Sequence, residues 1–218
     1  MAAGTDRARD TREAILDAAE RLFAEHGVGA VSNRQIGLAA GQGNNFAVGY
    51  HFGSKADLVR AIVRRYTAET EQRRLSMLAA IGDSPDVRAW ISCLVRPVTG
   101  HLDSLGAPTW RARCLAQVNT VPALREIVIG ESMATPSMRR TLEGMFSLLP
   151  DLPEEVRAER GDMCRLLVVH TLAEREPALY GDGPAARTSW EPTAVGLIDA
   201  LTGLWLAPVS TRDRNPAR

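Results

Sequence analysis

The 218-residue sequence has no apolar run near the roughly 20 residues that a membrane-spanning helix requires, so no membrane partner is expected. Met1 to Asp10 is polar and charged and lacks the apolar centre of a secretory signal, which makes a cytoplasmic protein the expectation. Cysteine is scarce. Cys93, Cys114 and Cys164 are far apart and set among aliphatic residues, a pattern of buried free thiols rather than of disulfides or a metal site. The four histidines share no ligand spacing with them, so no metal is expected. A phosphate loop, a nucleophile elbow and a zinc-type histidine pair are all missing, and no catalytic residue or cofactor is assigned. Strand-like alternation is absent too, which leaves an all-α chain. Net charge is zero, with 26 basic and 26 acidic residues, and this argues against a wholly basic nucleic-acid binder.

What is present is unevenly distributed. Between His26 and Arg65 five basic residues, Arg34, Lys55, Arg60, Arg64 and Arg65, face a single acid, Asp57. A basic stretch inside a neutral chain suggests one docking face. Thr11 to Glu25 places Ile15, Ala18, Ala19, Leu22 and Phe23 on one helical stripe, and Gly27 is set to end it. Ser32 with Gln35 forms a capping box that opens a second helix, which ends at Gly41. After a Gly/Asn-rich turn, Phe46 to His51 is long enough only for a brief helix. Ser54 and Asp57 then start a long helix to about Ala80. Further helices are expected from Ser84-Pro85, around Trp110 to Val118, from Pro122 through to Leu149, over Glu154 to Glu174, and over Glu191 to Leu206. Tyr180 to Trp190 reads as a loop.

Three short helices with two tight turns have the geometry of a helix-turn-helix, whose third helix enters the DNA major groove. Gln42, Asn44 and Asn45 carry amides that pair with adenine edges or bind phosphate. Phe46, Ala47 and Val48 offer apolar contact to a thymine methyl. Tyr50, His51 and Lys55 are donors suited to phosphate, and the free amides after Gly53 form an anion site. Thr11 to Ala19, Leu22 to Gly27, Ile36 with Ala39-Ala40-Gly41, and Tyr50-His51-Phe52-Gly53-Ser54-Lys55 together resemble the opening helices of the tetracycline-repressor-like (TetR) family. The resemblance covers about a quarter of the chain. It implies a homodimeric transcription repressor that binds operator double-stranded DNA and responds to a small-molecule effector. It implies phosphate and base contacts at Ser32, Asn33 and Arg34, at Asn45, Phe46, Ala47 and Val48, and at Tyr50, His51 and Lys55. Two departures stand out: Gly49 replaces a usual aromatic, and the turn through Gly41 to Asn45 is one residue longer. Phe52 is expected in the core.

On this reading residues 1–54 form a DNA-binding domain and residues 55–218 a helical effector-binding and dimerisation domain. Trp110, Cys114, Asn119 and His170 are polar or polarizable groups on otherwise apolar faces, and together they are expected to line a pocket for a mostly apolar effector. Met163, Leu166 and Leu167 on one helix, and Leu197, Ile198, Leu201 and Trp205 on the last, are expected at the dimer interface. Two alternatives stay open: a helical enzyme using a cysteine with His170, which leaves the motif order unexplained, and a ligand-independent activator.

Overall fold

The computed structural model describes residues 2–44, 46–106, 108–179 and 189–210, and of residues 2–7 the backbone alone. Among the described residues there are ten helices and no strand. α1 (Ala2–His26) starts well before Thr11 and ends where Gly27, at φ 79°, turns the chain. α2 (Asn33–Ala39) is opened by Ser32, whose backbone N–H donates to the Gln35 side chain at 2.8 Å while its hydroxyl accepts from the Gln35 N–H. α3 (Ala47–Phe52) follows, and α4 (Lys55–Ile81) begins with the same device at Ser54 and Asp57. α2 and α4 open at a serine whose hydroxyl answers a first-turn N–H group, whereas Phe46 gives α3 no side-chain cap.

α5 (Val87–Leu105) departs from expectation. Asp86 rather than Ser84 caps it, accepting from the Arg88 N–H at 2.9 Å, so Pro85 lies outside the helix. α6 spans Arg111–Asn119. The stretch expected as one helix from Pro122 to Leu149 is two, α7 (Pro122–Met133) and α8 (Pro136–Ser147). Thr135 caps the second and Pro136 occupies its first turn, where a missing N–H costs nothing. α9 (Glu154–Leu179) runs past Glu174 despite Pro177, and α10 (Glu191–Leu206) has the expected limits. The loop expected from Tyr180 lies, as far as residue 188, outside the described residues.

Two apolar clusters hold these helices. The first joins α1 to α4 through Ile15, Leu16, Phe23, Ile36, Val48, Leu58 and Ile62, and it takes in Cys114 and Val118 of α6 and Leu124 of α7. The second joins α5, α8, α9 and α10 through Trp90, Ile91, Met145, Leu172, Ile198, Leu201 and Trp205. α4 serves both, with Leu58 to Val63 in the first and Leu78 and Ile81 at the edge of the second. Each fully buried large side chain contributes about 1.5–3 kcal/mol relative to exposure. Gly144 of α8 lies against the Trp90 ring, where a Cβ would overlap it.

Buried polar groups fasten the helices to one another. Pro97 inside α5 has no N–H for the carbonyl of Cys93 four residues back, and Arg74 of α4 supplies the donor instead, Nε to Cys93 O at 2.9 Å. Arg74 Nη1 also donates to Ser137 Oγ at 3.2 Å, and the Glu71 carboxylate accepts from the Ser137 N–H at 3.1 Å and from its hydroxyl. Trp110 gives α6 no side-chain cap. Glu176 of α9 takes that place, accepting from the N–H groups of Ala112 at 2.9 Å and Arg113 at 3.1 Å. Burial raises the Glu176 carboxyl above its ordinary pKa, against the pull of those N–H groups and of Arg113. At the other end of α9, Arg160 donates to the carbonyls of Trp205 at 2.9 Å and Ala207 at 2.7 Å, closing the C-terminus of α10.

Candidate nucleic-acid interface

α3 is too short to be stable alone, and its inner face docks it. Ala47, Val48 and Phe52 are buried in the first cluster. This removes Ala47 and Val48 from the expected base contacts, because a six-residue helix that buries them turns Phe46, Gly49 and Tyr50 outward. Phe46 is 79% exposed and Tyr50 86%. Gly49 has open space where a side chain would stand. His51 is half-buried and lies edge-on to Tyr50, with ring centroids 5.2 Å apart. Asn44 is exposed, and its Oδ1 accepts from the Phe46 N–H at 2.9 Å, which orders the entry to α3. Gln42 Nε2 is engaged with the Ala40 carbonyl at 3.1 Å. Asn45 lies outside the described residues. On α2, Ser32 and Arg34 are exposed and Asn33 is half-buried, with an Oδ1 that has no partner.

The local positive charge read in the sequence is largely neutralised by acids from elsewhere. Arg60 pairs with Asp57 at 2.5 Å and Glu131 at 3.5 Å, and Arg64 pairs with Glu131 at 2.8 Å. Arg65 pairs with Glu13 at 3.0 Å, Asp17 at 2.7 Å and also Glu20. Lys55 is turned inward: its Nζ donates to the carbonyls of Val28 at 3.0 Å and Val31 at 2.6 Å in the α1–α2 turn. Its expected role as a phosphate donor is corrected accordingly, since two of its three N–H groups are spent inside the fold. The anion site expected at the start of α4 is likewise filled by the chain itself. Asp57 takes the Ser54 hydroxyl at 2.5 Å, and the Ser54 bonds, ahead of Arg60, hold its carboxyl below the usual range. Arg34 remains outward, with no ion pair among the described residues.

Residues 15–62 match the family model described as bacterial regulatory proteins, tetR family. Over this stretch the chain is similar to the TetR family. Curated relatives of this chain include the HTH-type transcriptional repressor AcnR of Corynebacterium glutamicum, 31% identical over 97 residues covering 42% of this chain and 50% of that one. The HTH-type transcriptional repressor BepR of Brucella suis is 38% identical over 79 residues, 36% of each chain. The chain thus aligns with about half the length, or less, of these relatives. Among solved structures, NalD of Pseudomonas aeruginosa, a secondary repressor of the MexAB-OprM multidrug efflux pump, superposes with a TM-score of 0.57 at 23% identity, covering 93% of this chain and all (100%) of that one. PfmR of Thermus thermophilus, a TetR-family transcriptional regulator, gives 0.54 at 16% identity, covering 90% and 96%. Both share the fold.

The remaining residues assigned from the TetR-like sequence separate in space. Trp110 is the N-cap of α6, half-buried under the Arg113 guanidinium, 4.6 Å from its ring centroid. Asn119 lies at the other end of the same helix, with Nδ2 on Leu115 O at 2.8 Å and Oδ1 reached by Arg165 at 3.4 Å. Cys114 is sealed in the first cluster, and His170 is exposed on α9. Trp110 and His170 line different clefts, so the four do not form one pocket. Burial pushes the thiols of Cys93, Cys114 and Cys164 above their ordinary pKa, away from the reactive thiolate form. Met163, Leu166 and Leu167 do lie outward on α9, at 45%, 44% and 36% exposure. With His170, Thr171, Ala200 and Leu204 they line an open apolar groove. Leu197, Ile198, Leu201 and Trp205 are instead buried in the protomer's own second cluster. α10 is apolar on nearly every side, so its sequence did not reveal which stripe faces its own core.

Proposed function

We propose that this protein is a cytoplasmic, homodimeric transcription repressor that binds operator double-stranded DNA through α2 and α3 and is released by a small-molecule effector. The supporting observation is the outward surface of α3. Two aromatic side chains, Phe46 and Tyr50, stand almost fully in solvent at a six-residue helix whose other face is packed, and Arg34 of α2 and Asn44 are exposed as well. Large exposed rings on a short, well-anchored helix suit a surface that gains its partner in a groove. Residues 1–54 are taken as the DNA-binding domain and residues 55–218 as the effector-binding and dimerisation domain.

Dimerisation rests on the α9 stripe. Met163, Leu166, Leu167 and His170 recur at helical spacing and continue onto Ala200 and Leu204 of α10, beside exposed Gly196 and Gly203, which let a partner helix approach closely. Two such faces across a two-fold axis bury on the order of 2,000 Å² in an obligate pair. The test is a mobility-shift titration with the DNA upstream of the gene, at several salt concentrations. Tyr50→Ala is expected to weaken binding and alter sequence preference. Arg34→Ala is expected to weaken all sequences alike and lower the salt slope by about one unit. Undiminished binding and preference in both variants would refute the assigned face.

A further inference from the structure

A cleft of about 580 Å³ opens where α1, α2, α4 and the start of α6 meet. Its apolar wall includes Ala18 of α1 and Ala40 after α2, with Trp110 also in the lining, and its charged wall includes Glu20, Arg65 and Arg111. Arg111 is 5% exposed; its Nε donates to Glu20 at 2.7 Å and its Nη1 has no partner. Arg65 holds Glu20, Asp17 and Glu13 through its Nη atoms and leaves Nε without a partner. The Arg111 guanidinium lies 5.9 Å from the Tyr66 ring centroid, and His101, 5.5 Å from the same ring, is also 5% exposed with an unpartnered Nε2. Two buried guanidinium N–H groups left unmatched on one cleft, Arg111 Nη1 and Arg65 Nε, are rare in folded proteins, because each costs more than about 1–3 kcal/mol.

Unspent guanidinium donors are best answered by an anionic acceptor, and a carboxylate fits the planar fork. Asp17 and Glu20 in the same lining oppose a second negative charge, and the alanines and Trp110 suit an apolar body. We propose that this cleft binds a small monocarboxylic acid, its carboxylate on Arg111 and Arg65 and its apolar part against Ala18, Ala40 and Trp110. The consequence for regulation rests on the repressor reading above. Glu20 belongs to α1 and ties it to α4 through Arg65 and to α6 through Arg111. A ligand carboxylate shares those two cations with Glu20 and weakens the tie between the helix-turn-helix and the rest of the chain.

The test is calorimetric titration of the full chain with phenylacetate, benzoate and hexanoate, each beside its uncharged amide. At least one acid is expected to bind saturably, on the order of tenfold tighter than its amide or more, and Arg111→Met is expected to abolish this while Arg140→Gln, at the distant Asp83 pair, does not. No saturable binding up to about 10 mM, or equal binding of acid and amide, overturns the proposal. So does undiminished binding in a folded Arg111→Met; should that variant not fold, the acid–amide comparison on the unaltered protein decides. The bound acid is also expected to lower affinity for upstream DNA, and DNA to lower affinity for the acid by the same factor. Acid binding that leaves DNA affinity unchanged refutes the coupling through Glu20 but not the site. Failure of the free protein to bind DNA refutes the repressor reading, while the titration still reports on the cleft.

Discussion

Lys55→Met removes an ammonium that holds two backbone carbonyls and keeps most of the apolar stem. The carbonyls of Val28 and Val31, at 3.0 and 2.6 Å from Nζ, belong to the turn that fixes α2 against α1. A hydrogen bond to a charged group contributes about 1.5–3 kcal/mol, and water reaches this half-exposed site, so the combined loss is about 2 kcal/mol. For a chain of this size that is a fall in Tm of about 4–8 °C. The assay is thermal unfolding paired with DNA binding across a salt series. A lysine that neutralised a phosphate would, when removed, reduce the salt slope by about one unit and leave Tm nearly unchanged. The geometry requires the opposite: lower Tm and an unchanged slope. A slope reduced by one unit at constant Tm would refute the inward role and restore the phosphate contact expected from the sequence.

Burial, then Arg111, Arg73 and Arg65, lowers the pKa of His101 from 6.5 to about 4. The unfolded chain therefore takes up this proton first. Stability is fully present above about pH 6.5 and is lost as pH falls toward 4, by up to about 1.4 kcal/mol per pH unit, a limb that His101→Gln should flatten in urea midpoints measured against pH. Leu166→Glu is expected to yield a folded monomer by light scattering, whereas Leu201→Asp, buried in the second cluster, is expected to unfold the protomer; a dimeric Leu166→Glu would move the interface off α9. Gly144→Ala drives a methyl into the Trp90 ring, which is also held by its Nε1 bond to Ser84 O at 2.9 Å, and should cost about 2–3 kcal/mol in chemical denaturation.

The helix-turn-helix was legible because its signals are local. Ser32 with Gln35, Ser54 with Asp57, and Gly27 act within one turn of chain, and each stands where the sequence placed it. What was hidden depended on distant partners. The basic stretch looked uncompensated until Glu131, and then Glu13, Asp17 and Glu20, folded against it. The phase of α3 was hidden because six residues carry too little periodicity to tell Ala47 and Val48 from Phe46 and Tyr50. Trp110 and Asn119 share a helix but sit at its two ends, so spacing alone could not show that they miss one another. One further signal is local to α1. Glu20 occupies a position between Leu16 and Phe23 on the buried face of α1, and a charge there asks for a partner.

Pro97 and Arg74 are each a defect without the other. A proline inside α5 strands a carbonyl, and an arginine in an apolar seam is a buried charge; together they answer each other at Cys93 O. Such a pair constrains descent as well as shape. A lineage that replaces Pro97 with alanine restores the helical N–H and leaves Arg74 competing for a carbonyl already taken, while one that loses Arg74 first exposes the gap. The two positions should therefore be inherited as a unit and change together, with alanine at 97 accompanied by an apolar residue at 74. An intermediate carrying only one of the two changes should be rare among descendants, because it is less stable than either end of the path.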